Sequence, residues 1–234
     1  MLGWGLTIAM LLLLPFAGPA VAGDDRDVRP SEVATTDITV TLSPVADADV
    51  VIDQPDANFG AAASVKVGPE LFEAARHVYL KFDLSSIPAD ATIVEATLAM
   101  SAYSGFAWGN DGNVYASFVP EDAWTEMGLT WNNRPAPAAE ILGSWWLWYD
   151  DFLGSQVDYQ VGSTTGGALL TRTQAEAGGD DLLSIRLHSP GYRTLYRTRE
   201  FAEAARRPGL TLRYTLNPTP AATSSWGAIK TRYR

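Results

Sequence analysis

The chain has 234 residues, 47% of them hydrophobic, with 17 basic against 27 acidic side chains and a net charge of −10. That length suits one β-type domain with appendages, and the acidic balance argues against a nucleic-acid partner and against general affinity for anionic membranes. Cysteine is absent, which removes a disulfide framework, thiolate-bound metals and thiol chemistry.

Residues 1–22 read as a signal peptide. Leu6 to Phe16 is an apolar run of the right length, and Ala20-Val21-Ala22 places small residues where a signal peptidase reads them. The n-region carries only the terminal amine. The run is too short to span a bilayer, so no membrane span is expected after cleavage, and the mature chain is expected to be secreted, extracellular or at the cell surface. Residues 23–37, charged and small, read as a linker.

The body is residues 38–215. Short apolar stretches recur there between Pro, Gly, Asp and Asn: Ile38 to Leu42, Val50 to Ile52, Val65 to Val67 and Val78 to Phe82. Ile93 to Tyr103 alternates most clearly, with Val94, Ala96, Leu98 and Met100 on one face and Glu95, Thr97 and Ser101 on the other. Val114 to Phe118, Trp145 to Tyr149, Val157 to Val161, Leu182 to Leu187 and Leu210 to Tyr214 complete the series. Helical signal is confined to Ala168 to Ala177 and a turn within Arg199 to Ala205. One-sided alternation of this kind predicts an all-β fold of two packed antiparallel sheets.

Trp124 to Pro135 stands apart. Two indoles are surrounded by Thr125, Glu126, Thr130, Asn132, Asn133 and Arg134. The stretch is too polar for a core strand and too aromatic for a slack loop. A buried indole needs an acceptor for its N–H, so the segment reads as an ordered crossover whose tryptophans plug into the β-body. Residues 216–234 read as a linker rich in Pro, Ser and Thr, followed by Trp226 to Arg234. That aromatic and basic end is either a sorting or anchoring signal, addressed to cell-surface or sorting machinery, or a frayed or partner-docked terminus.

Four motifs in order resemble a known family. They are Ala46-Asp47-Ala48-Asp49-Val50 with Asn58-Phe59-Gly60; Val78 to Pro88 with Ala91 to Leu98; Trp124-Thr125-Glu126 with Thr130 to Pro135; and Thr198-Arg199-Glu200 ahead of Pro208 to Tyr214. Together they resemble the DNRLRE domain, related to the disaggregatase repeat and to carbohydrate-binding module family 96. The resemblance implies a jelly-roll-like antiparallel β-sandwich with little helix, secreted and non-catalytic, whose characterised relatives bind acidic polysaccharides. It also implies that Trp124, Trp131, Asn132, Arg199 and Glu200 are structural fixtures. The chain departs from the pattern at 164–179, which lacks the Trp that usually ends a short helix there.

Three groups are candidates for binding. Trp145, Trp146, Trp148 and Tyr149 offer rings for stacking on sugars; on a strand Trp146 and Trp148 share one face and Trp145 and Tyr149 the other, so one set is core unless a long connection covers both. Arg186, Arg193 and Arg197, with Arg199, form a basic group suited to bidentate pairing with uronates, or to structural ion pairs. Asp47 and Asp49, among Asp53 and Asp56, are candidates for a structural calcium ion, or are ordinary turn residues. His77 and His188 have no zinc-like spacing, and no catalytic motif is present.

Overall fold

A computed structural model describes residues 36–68, 74–107, 113–146 and 160–216. All of them lie in the compact unit Ala34–Arg234. The segment read as a signal peptide, most of the segment read as a linker at 23–37, the tail beyond 216, and Trp148 and Tyr149 fall outside the described residues.

The strands are β1 (Asp37–Leu42), β2 (Ala46–Val51), β3 (Ser64–Val67), β4 (Arg76–Asp83), β5 (Ala91–Ala107), β6 (Asn113–Val119), β7 (Ile141–Trp146), β8 (Gln160–Thr165), β9 (Leu182–His188), β10 (Tyr192–Arg197) and β11 (Gly209–Leu216), with helix α1 (Gly167–Ala177) between β8 and β9. One sheet runs β1-β11-β5-β10-β3, with β8 also paired to β5; the other runs β2-β4-β9-β6-β7. Every pairing is antiparallel. From β1 to β6 each successive strand joins the opposite sheet, and the two sheets form the expected sandwich.

Alternation builds the core. Val78, Leu80 and Phe82 of β4, Leu183, Ile185 and Leu187 of β9, and Val114, Ala116 and Phe118 of β6 meet Ala96, Leu98 and Met100 of β5 and Leu210 and Leu212 of β11. Each fully buried large side chain contributes about 1.5–3 kcal/mol. Helix α1 closes one side with Leu169 and Ala177 in the same core. Arg172 on α1 pairs with Glu140 and lies 4.1 Å over the Phe118 ring.

Val94 is a correction. Alternation alone puts it in the core, yet it is 37% exposed while Ile93 is 5% exposed. The register shifts there, with Arg213 opposite Glu95 but Tyr214 opposite Ile93, so Val94 is the extra residue of a bulge and the face inverts. Strand β10 is an addition: Thr194 and Tyr196 are buried between outward Arg193, Leu195 and Arg197, a pattern too polar to announce a strand.

The crossover lies on the outer surface of the second sheet, where it builds a small second core. Trp124 and Leu129 pack with Ala46, Ala48 and Val50 of β2, Tyr79 of β4 and Val119 of β6, and Trp131 joins from the side. The Trp124 ring stands edge-on to Tyr79, and the Tyr79 hydroxyl donates to the Pro135 carbonyl at 2.9 Å. Asn58 holds the segment from below, donating to the carbonyls of Glu126 and Leu129 at 2.7 and 2.8 Å. Asn132 donates to Asp56 at 2.8 Å and Asn133 accepts from the Thr130 amide at 2.7 Å. The expected crossover is therefore present; Trp124 is its buried anchor, and Trp131 is half-buried.

Candidate functional site

Beside the second core, the outer surface of the same sheet carries a row of rings that crosses the strands. Residues opposite the core positions of β4, β9 and β6 point outward, which places His77, Arg186, His188 and Tyr115 together. The register aligns them: Val78 pairs with Leu187, and His188 pairs with Tyr115. Ring centroids step from Trp131 to His77 at 5.1 Å, from His77 to His188 at 6.3 Å and from His188 to Tyr115 at 5.5 Å.

The row continues to the sheet edge. Tyr115 pairs with Ser144 of β7, two residues before Trp146 on the same face, a diagonal within reach of an aromatic side chain. Trp146 is 40% exposed, whereas Trp145 is 6% exposed and its indole N–H donates to the Tyr196 hydroxyl at 2.9 Å inside the sandwich. The two-faced β7 strand thus resolves one way: Trp145 is a core residue and leaves the sugar platform, and Trp146 is the outward ring.

Cations accompany the rings. The Arg134 guanidinium lies 3.6 Å over Trp131. An Arg186 nitrogen is 3.2 Å from Nδ1 of His188. Both arginines act on Tyr79: burial pushes its hydroxyl up to about 12, and the nearby charges of Arg186 and Arg134 oppose that shift.

The expected arginine group does not assemble. Arg186 is on β9, but Arg193 and Arg197 are on β10, in the other sheet, because the chain changes sheets at 189–191. Arg197 is stacked between Tyr103 at 3.7 Å and Phe201 at 4.1 Å. Arg199 lies beyond β10, pairing with Glu200 at 3.3 Å and donating to the Val45 carbonyl.

The two aspartates of β2 also separate. Asp49 meets Arg76 at 2.9 Å and the Lys66 amide of β3 at 3.4 Å; burial raises its carboxyl, and Arg76 opposes this. Asp47 instead approaches Glu126 and Glu200, one oxygen of each lying within 4.8 Å of the others. The Arg199 amide donates to Asp47 at 2.8 Å, and the Asp47 amide to Glu126 at 2.9 Å. Burial, aided by the charges of Glu200 and Glu126 and opposed by the Arg199 amide, pushes the Asp47 carboxyl up to about 7.

Sequence reasoning missed Tyr115, Arg134 and Glu126 as site residues and weighed His77 and His188 only as zinc ligands. Their outward positions are legible from alternation, but their alignment across strands needs the register.

An antiparallel sandwich with rings and guanidinium groups laid across one sheet has the build of a carbohydrate-binding module. Residues 38–152 match the model of carbohydrate-binding module family 96. The match stops before β8 to β11, yet β9 pairs with both β4 and β6, and β11 pairs with β5, so the folded module extends to 216. A comparison with curated proteins finds no match.

Proposed function

We propose that this module binds an acidic polysaccharide laid across β4, β9, β6 and β7, without acting on it. Tyr115, His188, Trp131 and Trp146 present ring faces or edges to pyranose units. Arg186 and Arg134 pair with carboxylates along the chain, since a guanidinium matches a carboxylate in two parallel hydrogen bonds. The observation that carries this reading is the ring sequence Trp131–His77–His188–Tyr115 with Arg186 beside it. Work on polysaccharides outside the cell agrees with the signal-like start, and the Trp226 to Arg234 tail would then address the module to a surface.

The test is affinity electrophoresis and calorimetry against polyuronates, such as alginate and pectate, and neutral glucans. Retardation by polyuronates is expected, weakened about tenfold or more by Tyr115→Ala or Arg186→Ala and left intact by Arg193→Ala on the opposite sheet. Equal behaviour on neutral and acidic polymers would remove the acidic assignment, and no binding to any of them would remove the site.

A further inference from the structure

We propose that Asp47, Glu126 and Glu200 together hold a divalent cation of the hard, oxygen-preferring kind, calcium fitting best. The inference does not depend on the glycan reading. The three carboxylates come from β2, the crossover and the segment after β10, and one oxygen from each lies within 4.8 Å of the others. Calcium bonds of about 2.3–2.6 Å set the oxygens on one ion roughly 3–5 Å apart, so a single centre can serve all three, with water completing the shell. Magnesium, at about 2.0–2.1 Å and strictly octahedral, requires a tighter set. The trio offers no imidazole and the chain no thiolate, so the softer metals are poorly matched.

An acidic cluster alone does not make a site. The second observation is Asp47, a residue only 1% exposed, whose Oδ1 has no hydrogen-bond partner among the described residues. Its other oxygen is satisfied by the Arg199 amide at 2.8 Å. A buried carboxylate oxygen left without a donor beside two further carboxylates is costly unless a positive group meets it. The Arg199 side chain is directed to Glu200 at 3.3 Å, Glu126 at 3.5 Å and the Val45 carbonyl, and the hydrogen bond from Arg199 to Asp47 comes from its main-chain amide. Three carboxylates against one guanidinium leave room for a dication.

The trio is also held in place. Asn58 fixes the Glu126 carbonyl at 2.7 Å, and a Cβ at Gly60 would meet that same carbonyl at 2.4 Å. Asp49 is not a ligand in this arrangement, because Arg76 already neutralises it. An ion here would join three segments that are remote in sequence, in a protein without disulfides.

The full chain, stripped with a chelator, would be titrated with calcium chloride by calorimetry and melted with and without the ion. A saturable one-site heat and a rise of several degrees in Tm are expected, with a smaller response to magnesium chloride. Glu200→Gln is a mild change at a half-exposed side chain; it should keep the fold by circular dichroism and lose about tenfold or more in calcium affinity. The exposed Glu121→Gln should bind as the unaltered protein does. No calcium heat and no Tm rise beyond sodium chloride at matched ionic strength would overturn the proposal, as would undiminished calcium binding by Glu200→Gln.

Discussion

The Trp124 indole N–H donates to the Ser184 hydroxyl at 3.0 Å, across 60 residues of sequence. Both partners are buried, and the bond ties the crossover to the central strand β9 of the second sheet. Trp124→Ala would remove a buried aromatic and the donor to Ser184, so a loss of about 3–5 kcal/mol is expected in urea unfolding. Trp124→Phe keeps much of the apolar volume but not the donor, and about 1–2 kcal/mol should suffice for it. Trp131→Ala should cost less than Trp124→Ala, because Trp131 is only half-buried and packs at the margin of the second core. A larger loss at Trp131 than at Trp124 would contradict this ranking.

The same contrast shows what was legible in the sequence. Alternation and turn residues located most of the strands, because burial on one side of a sheet imposes a period of two. Chemistry alone identified 124–135 as an ordered crossover, since two indoles among amides and hydroxyls suit little else. Distinguishing Trp124 from Trp131 required the packing, because the residue types are identical. The bulge at Val94 was hidden because an inserted residue breaks the period without a residue-type signature. Strand β10 was hidden because arginines occupy its outer face. The binding row was hidden for another reason: His77, His188 and Tyr115 are distant in sequence and meet only through strand register.

Gly60 is required by proximity. An added Cβ would sit 2.4 Å from the Glu126 carbonyl oxygen, against backbone that cannot swing away as a long side chain can. Gly60→Ala is expected to destabilise by about 1–3 kcal/mol, as overpacking does elsewhere. Because the displaced group is Glu126, the variant should also disturb Asp47, whose amide Glu126 accepts. Chemical shifts of the Asp47 and Arg199 amides would report this, and unchanged shifts would show that the two sites are uncoupled.

Lys81 is buried at 8% exposure, with its amine donating to the carbonyls of Asp122 and Trp124 and lying 4.5 Å over the Trp124 ring. Burial lowers its pKa, and the Asp122 charge opposes that. The amine therefore serves as a clamp on the entry to the crossover. Lys81→Met retains the aliphatic stem but leaves two carbonyls without their donor, at an expected loss of about 1–3 kcal/mol in denaturant unfolding. An equally stable Lys81→Met would mean that water replaces the amine at no cost.

Asp47 makes stability depend on pH in an unusual direction for a carboxylate. Its folded-state pKa is raised to about 7 from an ordinary 3.8, chiefly by burial. The folded state therefore prefers the protonated form. That contribution is fully present below the unfolded value and is lost as pH rises through about 7, at up to about 1.4 kcal/mol per pH unit across the interval. Asp49, Asp122 and Glu176 are shifted upward too and act in the same sense. In chelator, the protein should be more stable near pH 5 than near pH 8 in urea unfolding. Asp47→Asn removes one of these titrating groups, so it should reduce this dependence and gain relative to the parent at pH 8. A cation bound by Asp47, Glu126 and Glu200 would take over the proton's part in neutralising Asp47. Calcium should then restore stability at pH 8 in the parent protein and not in Asp47→Asn; identical calcium responses in the two would separate the raised carboxyl from any cation site.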